Sequence, residues 1–270
     1  MPRFFTAMVA AVCFAAPAQA QQEDAADLIE VLRLLDIVEI MRAEGADAAE
    51  ELAEDLFPGG GRLGWAAEVA RIYDVTRMKA EVEESFQETI PVDAIPGLIS
   101  FFTDQVGQDF VRLEIEAREA LADPDVEAAA EDAAQDAPED LQARIDRFIE
   151  VNDLVEQNVS GTLNSNYAFF RGLADGGGPL SNLTEDQIIA DVYASEPEVR
   201  DSTITWLNAY LTLAYTPMTD DDLDSYIALS ESEAGQDLNR AIFAAFDTLY
   251  NDLSYELGRS AAMFMQGQDL

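Results

Sequence analysis

The chain has 270 residues, of which 54 are Asp or Glu, 15 are Lys or Arg and none is His, for a formal net charge of −39. A field of that sign disfavours nucleic acid, anionic lipid headgroups and acidic substrates, and without His the His-dependent serine hydrolase chemistry is excluded. Hydrophobic residues still make up 49% of the chain and recur at helical spacing, so the acidity clothes a folded protein rather than marking disorder.

The first residues are Met1-Pro2-Arg3, an apolar run from Phe4 to Ala16, Pro17, and the small-x-small triplet Ala18-Gln19-Ala20. This order predicts a secretory signal peptide over 1–20, cut after Ala20, and a periplasmic mature protein. The apolar run is shorter than the roughly 20 residues a membrane span needs. Val12 stands before Cys13 where lipidation requires a small residue. Removing the leader removes Arg3 and the only cysteine, leaving 54 acidic against 14 basic residues, or −40. With no thiol for a disulfide, stability has to come from a packed core.

Periodicity beyond the leader predicts an all-α, multi-helix bundle-like fold. Leu28, Val31, Leu35, Val38 and Met41 place a stripe on one helix ending near Gly45, and a short acidic helix follows to Phe57. After the break Pro58-Gly59-Gly60-Gly61, a long helix carries Val69, Ile72, Val75, Val82 and Phe86 and ends before Pro91. Ile95, Leu98 and Ile99 mark a short helix, and Phe110, Leu113, Ala117 and Leu121 another. The Ala/Asp/Glu-rich stretch 122–140 reads as a weak helix inside a solvated linker. Leu141, Ile145, Phe148, Val155, Val159, Leu163 and Phe170 predict one long helix that stops at Gly176-Gly177-Gly178-Pro179. Thr184 with Gln187 forms a capping box. Val199, Trp206, Leu207, Tyr210 and Leu213 lie on the next helix, Thr219 opens another, and the stripe from Leu238 to Phe264 marks the last.

Sliding the chain against itself by 128 residues brings Gly107-Gln108-Asp109 onto Gly235-Gln236-Asp237 and Arg112 onto Arg240. Ala117 then meets Ala245, and Leu121 meets Leu249. The match predicts a duplicated helical unit over 64–121 and 192–249. These units sit in a first half, 21–121, and a second half, 141–270, joined by the linker 122–140. The stretch from Asp93 to Leu121, with Asp-Ala-Ile-Pro-Gly-Leu-Ile-Ser-Phe-Phe before Gly107-Gln108, resembles the core of the DUF2059 family. The second copy, Asp221 to Ala245, resembles the same pattern. The resemblance implies an exported bacterial protein with a helical domain and supplies no catalytic residues. Thr103-Asp104-Gln105-Val106 departs from the family's usual turn.

The candidate sites are few. Gly107 and Gly235 precede a helix start that could hold an anion, but Asp109 and Asp237 occupy its first turn, so a tight helix–turn–helix is the expectation. The glycines of 59–64 and 176–178 lack the Lys-Ser/Thr of a phosphate loop and read as joints. Asp220, Asp221, Asp222 and Asp224 lack EF-hand spacing and read as a helix start; no metal or cofactor is expected. Glu114, Glu116 and Glu119, beside Arg112 and Arg118, are the carboxylates a hydrolase would use. Arg112 and Arg240 are expected to be buried or half-buried, Arg112 pairing with Glu81, Glu83 or Glu84 and Arg240 with Glu196 or backbone carbonyls; recognition of a ligand or partner is the alternative role. Trp65, Trp206, Tyr210 and Tyr215 read as core or interface.

These features predict a non-enzymatic exported protein acting through protein interaction or as an envelope accessory factor, with no membrane span. The alternatives are a binding module for a small hydrophobic molecule and a carboxylate-dependent hydrolase. A concave pocket lined by aromatics with one convergent Arg would favour small-molecule binding; a closed core with an exposed apolar patch would favour interaction.

Overall fold

The computed structural model describes residues 16–56, 64–177 and 181–267, and every regular element among them is an α-helix. The expected leader residues 1–15 and the glycines Gly59 to Gly61 and Gly178 lie outside the described residues. No described helix is long and apolar enough to cross a membrane.

Three predicted helices are each divided by a sharp joint that apolar periodicity does not register. The first becomes α1 (Ala16–Val31) and α2 (Leu34–Leu56), parted at Arg33, whose φ of 53° is left-handed. The predicted stop near Gly45 is absent, because α2 runs straight through it. A Cβ on Gly45 would lie 2.7 Å from Cζ of Tyr73, so the glycine serves the approach of a ring and not a helix end. The second divides into α3 (Trp65–Ile72) and α4 (Val75–Thr89), where the Asp74 carboxylate accepts from the Arg77 N–H at 2.9 Å and starts the new helix. The third divides into α8 (Glu139–Val151) and α9 (Leu154–Asp175) at Asp153, with φ 51°. An L-residue with positive φ cannot continue an α-helix, and each joint swings the chain while the stripe continues on the other side.

The remaining elements follow the predicted order. They are α5 (Ile95–Phe102), α6 (Gln105–Ala120), α10 (Glu185–Ala194), α11 (Glu196–Tyr215), α12 (Asp220–Glu231) and α13 (Glu233–Met265). Thr184 and Gln187 form the expected capping box, and Thr219 caps α12 through the Asp222 N–H at 3.2 Å. The stretch 122–140 contains α7 (Pro124–Gln135), which docks on α11 with Ala130 buried beside Ala209.

Helix α13 is the spine, packed along α9 on one side and α4 on another. Two kinds of interior flank it. Between α1, α2, α4, α5, α6 and α13 lies a dry, mainly aliphatic layer built from residues such as Leu28, Met78, Val82, Leu98, Val111 and Leu249, with Phe86 and Phe102 among them. Between α6, α8, α11 and α12 the buried side chains turn aromatic, with Phe110, Phe148 and Tyr215 around Tyr226. The second interior opens into the candidate site.

Candidate binding cavity

A cavity of about 590 Å³ lies among α6, α9, α11 and α13 and is closed at one end by α8 and α12. Helical spacing delivers its walls. Trp206 and Tyr210 stand one turn apart on α11, Glu114 and Arg118 one turn apart on α6, and Asn239, Phe243, Phe246 and Tyr250 at steps of three and four on α13. Tyr226 from α12 and Phe148 from α8 pack ring to ring, with centroids 5.1 Å apart, and Trp206 stacks on Tyr210 at 4.9 Å. Asn152, Asn158, Ser165 and Asn166 add polar atoms to the wall.

Glu114 is the electrostatic centre. It lies deep in the molecule, yet its side chain faces the cavity and keeps some contact with that space. The Tyr215 hydroxyl donates to its carboxyl at 2.8 Å, Tyr226 supplies a second hydrogen bond, and Tyr210 donates to its main-chain carbonyl at 3.2 Å. Burial pushes the Glu114 carboxyl up to about 7, against the downward pull of the two tyrosines. Burial beside Glu114 raises all three tyrosine hydroxyls well above their ordinary value, so they remain neutral donors.

One turn along α6, the Arg118 guanidinium holds Glu44 of α2 with two hydrogen bonds, at 2.8 and 3.3 Å, and also engages Tyr250. Asp247 of α13 is the second carboxylate on the wall. It makes no hydrogen bond or ion pair among the described residues, and burial holds its carboxyl above the ordinary range. Outside the cavity lies an open cleft lined by Glu127, Glu131, Glu198 and Asp201, which shares Asn158, Thr162 and Trp206 with it.

A concave, partly open space of this size, with an aromatic wall and a few fixed polar groups, is the architecture of a small-molecule site. No family model, curated protein or solved structure matches this chain.

The sequence-predicted residues divide between this cavity and plain structure. Trp206, Tyr210, Tyr215, Glu114 and Arg118 come together in the wall, whereas Trp65 is core, edge-on to Phe264 and donating to the Ala49 carbonyl at 3.0 Å. Glu116 and Glu119 are exposed and do not join Glu114, so the three carboxylates form no catalytic set. Arg112 and Arg240 are corrections. Arg112 is exposed and pairs on its own helix with Asp109 at 3.1 Å and Glu116 at 2.8 Å, away from Glu81, Glu83 and Glu84. Arg240 is exposed and pairs with Asp237 rather than with Glu196. A three- or four-residue step puts an acid within reach of each guanidinium, and the local pair wins over the distant helix.

Gly107 and Gly235 are each the third residue of a helix, α6 and α13, in the turn that packs on the end of the preceding one. A Cβ on Gly107 would lie 2.7 Å from Phe102 Cα, and one on Gly235 2.8 Å from Ser230 Cα. Gln108 donates to the carbonyls of Phe102 and Val31, and Gln236 to those of Ser230 and Val151. Asp109 and Asp237 are the local partners of the two arginines. Of the acidic run, Asp220 and Asp224 pair with Arg144 at 3.3 and 2.8 Å, and Asp222 lies at the capped start of α12. Among the described residues no group of three or more potential ligands is placed to hold a metal.

Sequence reasoning missed Tyr226, Asn239 and Asp247. Tyr226 reads as a packing position on its helix, and Asn239 and Asp247 as polar neighbours of the α13 stripe. The available signal was comparative: 128 residues before Tyr226 and Asn239 stand Leu98 and Val111, both aliphatic and buried.

Proposed function

We propose that this protein is a non-catalytic carrier or sensor that binds a small molecule with an apolar body in the cavity between α6, α9, α11 and α13. One observation carries the reading: the cavity wall unites Trp206, Tyr210, Tyr226 and Phe246 with Arg118 and Glu114, an aromatic surface with a few fixed polar groups. Buried polar groups weaken a core unless something uses them. The large apolar side chains left exposed weigh against a broad docking face. Tyr250 lines the cavity, and the others, Val92, Ile189, Tyr193 and Ile204, are spread over the α4–α5 connection, α10 and α11.

Native mass spectrometry of the protein, followed by extraction and identification of released small molecules, tests the reading. Ser165→Trp would fill the cavity, and with the helical circular dichroism unchanged it should lose the retained compound. Equal retention by wild type and Ser165→Trp, or none by either across added apolar ligands, would overturn the proposal. Recovery of a chemically altered ligand would move the protein into the hydrolase class.

Export is part of the same proposal. The order of residues 1–20 supports a leader, and an intact Met1 in the cytosolic fraction would remove it. We also propose that the chain arose by duplication of one helical unit. The matching turns at Gly107 and Gly235 support this, as do the equivalent hydrogen bonds of Gln108 and Gln236. The left-handed joints at Arg33 and Asp153 add to it, each following a helix that ends in a valine carbonyl bonded by the motif Gln. The resemblance of both stretches to the DUF2059 core is consistent with the same origin.

A further inference from the structure

We infer that the ligand of this cavity is an organic cation, a substituted amine or quaternary ammonium whose charge is met by Glu114 and Asp247 and whose body lies against the aromatic wall. This rests on the cavity being a ligand site and adds the charge of its occupant. The charged groups facing the space are Glu114, Arg118 and Asp247. Arg118 is already matched by Glu44 on α2. Asp247 has no partner among the described residues, and Glu114 has only neutral tyrosine donors. The wall therefore holds two carboxylates and no uncommitted cation.

The surroundings favour the same sign. The faces of Trp206, Tyr210 and Tyr226 carry negative quadrupole charge, which attracts an ammonium group once it is desolvated. The adjoining cleft presents Glu127, Glu131, Glu198 and Asp201 with no Lys or Arg in its lining, and it shares three wall residues with the cavity. A negative cleft in front of a low-dielectric cavity concentrates cations at its mouth. An anion would meet that field and two desolvated carboxylates, and a neutral molecule would leave Asp247 unpaired.

Binding then has a proton balance. The groups facing Glu114 are Tyr210 and Tyr215 on α11, Tyr226 on α12, Arg118 on its own helix, and Asp247 and Tyr250 on α13. The tyrosines stay neutral and Arg118 stays charged near neutral pH, so the carboxyls are the groups that titrate. A bound cation favours the ionised carboxylate, so the proton on Glu114 leaves to solvent as the ligand enters. Affinity should rise from pH 6 to pH 8.

Isothermal titration of the full chain tests this with three probes: benzyltrimethylammonium, its neutral carbon isostere neopentylbenzene, and the anion phenylacetate. The cation should bind at least about tenfold more tightly than either of the others, a difference of about 1.4 kcal/mol. Its enthalpy should differ between buffers of unlike ionisation heat, reporting proton release at pH 7. Glu114→Gln combined with Asp247→Asn should remove the preference, so that benzyltrimethylammonium binds no more tightly than neopentylbenzene. Equal or tighter binding of neopentylbenzene or phenylacetate would overturn the cation assignment and leave the cavity reading standing. Cation binding that survives both the double variant and Ser165→Trp would place it elsewhere and overturn the assignment. Failure of all three probes to bind would overturn the assignment and count against the cavity as a ligand site.

Discussion

On the proposed duplication, the dry layer beside α4 and the cavity beside α11 draw on corresponding positions, and their interiors differ. Val82, Met78 and Leu98 lie in the dry layer, and 128 residues later stand Tyr210, Trp206 and Tyr226. Leu28 and Leu32 lie before the first left-handed joint, and Phe148 and Asn152 lie 120 residues on, before the second. On that reading one helix arrangement holds a filled core in one half and an open one in the other. The choice lies in about half a dozen side chains that leave the helix pattern untouched, because Tyr, Trp and Leu all serve on an apolar stripe.

The largest effects should come from deleting side chains on the two sides. Met78 is fully buried in the dry layer, so Met78→Ala leaves a void with no partner atoms and should cost about 2–5 kcal/mol. Trp206 is larger, but one of its sides already faces the cavity, so Trp206→Ala should cost less than Met78→Ala despite the greater loss of volume. Urea midpoints for the two variants check the order. A Trp206 variant that is the less stable of the pair would mean that the space beside it is closed in solution.

Next in size is a pH effect confined to the cavity. The folded-state pKa of Glu114, about 7, lies above that of an unfolded glutamate. The folded protein therefore holds a proton that the unfolded chain has lost between about pH 4.5 and 7, and stability falls as pH rises through that window. The full difference is on the order of 3 kcal/mol. Glu114→Gln keeps an acceptor for Tyr215 and cannot ionise. It should match wild type near pH 5 and exceed it in stability at pH 8, and parallel pH profiles for the two proteins would exclude Glu114 as the source. Among the described residues the buried side chains of the dry layer are all apolar, and the raised carboxyl nearest to it, Glu81 of α4, lies beside the layer and not in it, so Val82→Ala should shift stability without changing its pH profile.

Smaller still should be the cost of a methyl group at the two motif turns, where the halves are alike. Gly107→Ala and Gly235→Ala would each press a Cβ into the backbone of the preceding helix, at Phe101 and Phe102 or at Leu229 and Ser230. Overpacking of this kind typically costs about 1–3 kcal/mol. The two variants should differ little from each other in thermal midpoint. A large difference would show that the turns are not equivalent in strain and would weaken the duplication proposal.

Sequence carried the helical class and most helix starts, because caps such as Thr184 and Thr219 and stripes such as that of α13 are local signals. The joints at Arg33 and Asp153 were illegible, since a left-handed residue other than glycine leaves no mark in the apolar pattern. The Tyr73–Asp74 break had a local sign in Asp74, a good N-cap, but the stripe running through Val75 outweighed it. The cavity was half legible. Tyr210, Tyr215 and Trp206 stood out by type, but whether a stripe aromatic fills space or borders it depends on what stands opposite. Arg118 has no counterpart at the 128-residue offset, where Arg112 meets Arg240, so repetition in the sequence does not mark the arginine of the cavity wall.

Arg112 and Arg240 should therefore give the smallest effect of all. Both are repeated, and both were expected to bridge helices, yet each guanidinium is exposed and pairs within its own helix, Arg112 with Asp109 and Glu116 and Arg240 with Asp237. Solvent competes for both partners of such a pair, and holding a long side chain in place has an entropic cost of its own. Removing Arg112 leaves Asp109 and Glu116 in water, where neither needs a counter-charge. The one residual term is the chain's acidity: deleting a cation from a protein of net charge −39 adds slightly to self-repulsion. Arg112→Ala should thus leave the thermal midpoint at 150 mM salt within measurement error and lower it slightly at low salt. Arg118→Ala offers the contrast, because it would strip Glu44 of its partner and remove the only cation from the cavity wall. If Arg112→Ala proved the more damaging of the two, the repeated arginine would be the functional one and the cavity the lesser feature of the fold.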